Sequence, residues 1–87
     1  MKNQQRNINV YLCNFHGALE SANATLEDYA EQTPGGWDAI ASDNHLSKIK
    51  RCANDHLNRA KQTGDVDDYK RACESAIIVF YYVNSRY

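Results

Sequence analysis

The sequence predicts an all-α fold, a small antiparallel bundle of three helices with a short fourth near residues 37–43. Two long apolar stripes and one shorter one carry that prediction, together with the breaks between them. In the last segment Val66, Tyr69, Cys73, Ala76, Phe80, Val83 and Tyr87 recur at spacings of three and four, the period of one face of an α-helix and not of a strand. Residues 76–83 contain no polar-class residue, so this helix needs cover on more than one side and is expected to form the spine of the bundle.

The chain opens with a polar stretch, residues 1–6, read as an N-terminal arm with nothing to bury. Asn7 is the expected N-cap of the first helix, since its side-chain oxygen can accept from a free amide of the first turn. From there Ile8, Leu12, Phe15, Leu19, Ala22, Leu26 and Tyr29 repeat the same heptad spacing, so two stripes of one period can pack along each other. Gly17 interrupts this stretch at a cost of about 1 kcal/mol relative to alanine. Close approach of a neighbouring helix is the expected reason for it. Thr33, Pro34, Gly35 and Gly36 end the helix, because proline lacks the amide donor and glycine tolerates positive φ.

Trp37, Ile40 and Ala41 suggest one or two further turns, and Ser42, Asp43 and Asn44 a break or a cap. A second long helix follows on Leu46, Ile49, Ala53, Leu57 and Ala60, with Gly64 placed to end it and Asp65 to cap the last helix. Asp67 and Asp68 fall in that helix's first turn, where the macrodipole favours negative charge. Links this short make the long helices run up, down and up.

Eighty-seven residues, 43% hydrophobic and 24% charged, with one proline and four glycines, describe a single domain over 1–87. A chain of this size buries only about 60–65% of its unfolded surface. The longest apolar run, residues 76–83, is far below the roughly 20 residues of a membrane span, and no apolar core follows Lys2 and Arg6 to suggest a signal peptide. Three cysteines, an odd number, fit reduced thiols. A cytoplasmic protein without a membrane partner is the expectation.

Candidate chemistry is sparse. Cys13 with His16 and Cys52 with His56 lie three and four apart, each pair on one helical face, and four such ligands are a Cys2His2 set in principle. Structural zinc pairs come mostly from tight knuckles, however, and no glycine-rich turn offers an oxyanion hole beside either thiol. Neither metal, cofactor nor catalysis is expected, and Cys73 reads as core packing. Adjacent acids such as Glu27 with Asp28 diverge on a helix and read as solvated surface.

Charge is uneven. Residues 1–43 carry two basic and six acidic side chains, whereas residues 44–63 carry Lys48, Lys50, Arg51, Arg59 and Lys61 against Asp55 alone. Lys48, Arg51, Asp55 and Arg59 share one side of the second long helix with Lys50 and Lys61 flanking, so phosphate contacts are feasible; Glu20, Glu27 and Glu31 of the first helix are the competing partners. Protein association uses more of the residues. Ile78 and Tyr82, one turn apart, face away from the core stripe of the last helix, and with Tyr81 and Tyr87 they form the expected partner-binding patch.

The functional expectation is therefore a non-catalytic protein–protein interaction module, a homodimer or a domain docked on a larger machine. Its format is that of the small accessory or inhibitor proteins that phages and plasmids direct at host or defence complexes. The alternative is a nucleic-acid binder working through its basic second helix.

Overall fold

In the computed structural model, which describes residues 2–87 with side chains from Gln4 onward, four helices follow one another: α1 Lys2–Gln32, α2 Gly36–Ala41, α3 Asn44–Thr63 and α4 Val66–Arg86. The protein is an all-α bundle of three long helices and one short one. At its N-terminal end the expectation is corrected. α1 begins at Lys2, Asn7 lies inside it, and Gln5 Nε2 donates to Asn9 Oδ1 at 3.2 Å. Lys, Gln and Arg propagate a helix at little cost once it has nucleated, so nothing in residues 2–6 obliges the chain to stop.

α4 packs along both α1 and α3, whereas α1 and α3 make no close backbone approach to each other among the described residues. It is thus the spine. Tyr29 and Tyr87 meet with ring centroids 4.9 Å apart, and Thr25 Oγ1 donates to Asn84 Oδ1 at 3.2 Å, which sets α4 parallel to α1. Asp43, at the start of α3, reaches the same end of α4, so α3 runs antiparallel to both. The molecule is a rod measuring 50 × 18 × 16 Å between its Cα extremes.

The core is built from small parts. Alanines are five of its twelve buried apolar residues, and beside Ala22, Ala53, Ala60, Ala72 and Ala76 stand Phe15, Leu26, Leu46, Leu57, Cys73, Val79 and Val83. Small side chains let the helices approach closely but bury little area each. Lying between two helices, α4 turns a wider face inward than one heptad stripe. Ala72 and Val79 join Cys73, Ala76 and Val83 as buried residues, while Phe80 is only half-buried. Burial pushes the Cys73 thiol pKa up, with the charge of Glu74 adding to it, so this thiol is held protonated as a core group.

The connections follow the turn chemistry. Gly64 ends α3 at φ 68° with its amide on the Ala60 carbonyl, a left-handed cap that glycine adopts without a Cβ penalty. Asp65 caps α4 by accepting from the Asp67 amide at 3.2 Å. The close approach expected at Gly17 occurs instead at Gly36, where an added Cβ would stand 2.6 Å from Ala30 Cα. Among the described residues no helix is long and apolar enough to cross a membrane.

Candidate protein-binding surface

Asp43 settles which of the late tyrosines face solvent. It caps α3 by accepting from the Leu46 amide at 3.0 Å, and the same carboxylate accepts from Tyr82 Oη at 2.8 Å and from Tyr87 Oη at 2.6 Å. Arg86 Nε lies 3.3 Å away, outside, with 61% of its side chain exposed against 6% for Asp43. Desolvation pushes the Asp43 pKa up, but hydrogen bonds from Tyr87, the Leu46 amide and Tyr82, with the Arg86 charge, outweigh it and hold the carboxyl below its usual range. Desolvation first, and then the bond to Asp43, push Tyr87 up to about 12.

Tyr82 and Tyr87 are consequently fastening residues packed against the core, which corrects their placement in an outward patch. Heptad counting placed Tyr82 beside Ile78, but the hydroxyl turns toward α3, where Asp43 offers an acceptor and His45 a ring 4.8 Å away. Ile78 and Tyr81 do face outward, 56% and 67% exposed.

Tyr81 also lines a shallow, open groove between α1 and α4, with about 330 Å³ of space, formed by Asn14, Gly17, Ala18 and Ser21 on one side and Ile77, Phe80 and Tyr81 on the other. Gly17 creates it. Nothing lies within 4 Å of where its Cβ would be, so the missing side chain leaves a notch opposite the Ile77 and Phe80 side chains. Val10, 49% exposed, stands two turns further toward the N-terminus on α1. No lining residue carries a charge, and Asn14, Ser21 and the Tyr81 hydroxyl supply hydrogen-bonding groups at an otherwise apolar floor. Such a groove can seat apolar side chains of a docked polypeptide and pair its polar atoms. The α1 wall escaped the sequence reading; its signal is the run Asn14, Gly17, Ser21, small or neutral residues at helical spacing beside the core stripe.

On α3, Lys48, Arg51, Arg59 and Lys61 are exposed and Lys50 is half-buried. Among the described residues the one ion pair is Arg86 with Asp43, so Glu20, Glu27 and Glu31 do not neutralise this face. Cys13 and Cys52 are exposed, and the two Cys/His pairs do not converge. Among the described residues no group of three or more His, Cys, Asp or Glu side chains is placed to hold a metal ion. Trp37, 59% exposed, belongs to α2 and lines no part of the groove. Comparison with protein families, with curated proteins and with solved structures returned no match to this chain.

Proposed function

We propose that this protein is a non-catalytic binding module whose α1/α4 groove receives a segment of another polypeptide. The carrying observation is that Tyr81, a large aromatic side chain left 67% exposed, lines an uncharged groove together with Gly17, Ile77 and Phe80, while Ile78 next to Ile77 in sequence is also more than half exposed. Aromatic groups beside a recess are the usual anchors of protein interfaces, because they offer large area at little entropic cost. A domain that only binds acts by occupying a surface, which is how small accessory and inhibitor proteins work.

Affinity purification from native cells tests this reading when the wild type is compared with the double variant Ile78→Gln, Tyr81→Lys and with the triple variant Lys48→Glu, Arg51→Glu, Arg59→Glu. A stoichiometric polypeptide retained by the wild type and the triple variant, and lost from the double variant, is the expected result. Loss in the triple variant alone overturns it.

One observation favours a second reading. Among the described residues the Lys and Arg side chains of α3 make no ion pair, Asp55 is the one acid on that helix, and phosphates are natural ligands of basic residues along a helix. On that reading DNA or RNA is retarded in a gel at low salt, and retardation weakens steeply as salt rises. The absence of any low-salt shift eliminates it.

A further inference from the structure

We infer that the outward sides of α1 and α3 are the two halves of one contact, in which α3 of one copy of this chain docks antiparallel on α1 of the next. The contact joins like chains head to tail and does not depend on the α1/α4 groove. A match in spacing carries it. On α1, Glu20, Ala24, Asp28 and Glu31 follow one another at intervals of four, four and three residues, and all four are exposed. Read in reverse, α3 presents Arg59, Asp55, Arg51 and Lys48 at the same intervals, again all exposed. Residues three and four apart stand on one side of a helix, and each set extends over about 16 Å of helix axis.

Laid antiparallel in this register, Glu31 stands level with Lys48, Asp28 and its exposed neighbour Glu27 with Arg51, and Glu20 with Arg59. Asp55, the acid that interrupts the basic side of α3, falls level with Ala24, the one uncharged member of the α1 set. No level sets like charges against each other. The acids of α4, Asp67, Asp68 and Glu74, lie one and six residues apart and cannot make the same match.

Neither half is used inside the molecule. α1 and α3 make no close backbone approach, and among the described residues the one ion pair is Arg86 with Asp43. Ala22 and Leu26 on α1, and Ala53 and Leu57 on α3, are buried against the bundle, which turns the two charged sets toward solvent. Nucleic acid suits α3 less well, because a backbone that is negative at every step meets Asp55 in the middle of the basic side. A two-fold pair suits it no better, since each set would meet its own sign. With its halves on different helices, the contact leaves one of each free, so it propagates or closes into a ring. Exposed ion pairs are singly weak and screened by salt. The assembly therefore belongs to low ionic strength and high local concentration.

Sedimentation velocity on the full chain at near-millimolar concentration, in about 20 mM and about 300 mM salt, tests the inference. Expected at low salt is a species heavier than the 9.9 kDa monomer, dissociating at high salt. The reversed variants Glu20→Lys, Glu27→Lys, Asp28→Lys, Glu31→Lys and Lys48→Glu, Arg51→Glu, Arg59→Glu should each associate about tenfold more weakly or worse. Mixing the two should restore assembly, because α1 of either then meets an α3 of opposite sign. Ala24 tests the register. Ala24→Lys gives Asp55 a partner and should strengthen association about two- to fivefold, although it makes α1 less acidic, whereas Ala24→Glu should weaken it. A wild type that stays monomeric at low salt overturns the inference, as does a mixture of reversed variants that stays monomeric, or an Ala24→Lys chain that associates more weakly than the wild type. A monomer that instead retards DNA or RNA at that salt overturns it in favour of phosphates on α3.

Discussion

At the scale of single residues, Asp43 does more than any other side chain. One carboxylate terminates the α3 amides and gathers Tyr82, Tyr87 and Arg86 at the end of the bundle. Asp43→Ala is therefore expected to cost about 2–4 kcal/mol in chemical unfolding, combining a lost cap with orphaned hydroxyl partners. Because the folded pKa of Asp43 is lowered, its contribution is present above the unfolded carboxylate value of about 3.9 and is lost as pH falls through the folded value. Tyr87 works in the opposite direction. Its pKa is raised from 10.0 to about 12, so its contribution is complete below pH 10 and disappears as pH rises through the folded value near 12. Unfolding measured across that alkaline window should show a falling stability, with the fall reduced in Tyr87→Phe; an equally steep fall in that variant would contradict the assignment. The sequence showed Asp43 as a candidate cap. It could not show the tyrosines converging on it from about forty residues away, because a heptad position gives a direction around the helix and not the reach of a long polar tip.

At the scale of helices, the periodicities of α1, α3 and α4 were legible as written, and so were their stops at residues 33–36 and 64–65. What the patterns could not supply was the width of each buried face. α4 lies between two neighbours and recruits Ala72 and Val79, which a single stripe omits. Two glycines illustrate the same limit, since a glycine in sequence records the absence of a side chain without saying whether crowding or open space surrounds it. Gly17→Ala meets no atom within 4 Å and should stabilise the protein by up to about 1 kcal/mol through helix propensity alone. Gly36→Ala forces a Cβ to within 2.6 Å of the Ala30 backbone and should destabilise by about 1–3 kcal/mol. Urea unfolding of both variants checks the pair. If Gly17→Ala proved the more damaging of the two, the groove would not be open space.

At the scale of the whole molecule, a thin, alanine-rich core and an elongated shape leave one face of the spine incompletely covered. Half of that face was readable. Ile78 and Tyr81 lie opposite the core stripe, whereas the α1 wall depends on how α1 and α4 are rotated against each other, which neither stripe states alone. We propose that the protein meets its partner at this α1/α4 face and not at the basic face of α3. A photoactivatable phenylalanine analogue placed at position 81, with a matched one at position 48, tests the claim directly when adducts formed in native cells are mapped by mass spectrometry. Strong adducts to a single distinct polypeptide are expected from position 81, abolished by Gly17→Leu and weak or absent from position 48. Adducts from position 48 alone, or from position 81 without sensitivity to Gly17→Leu, would contradict it.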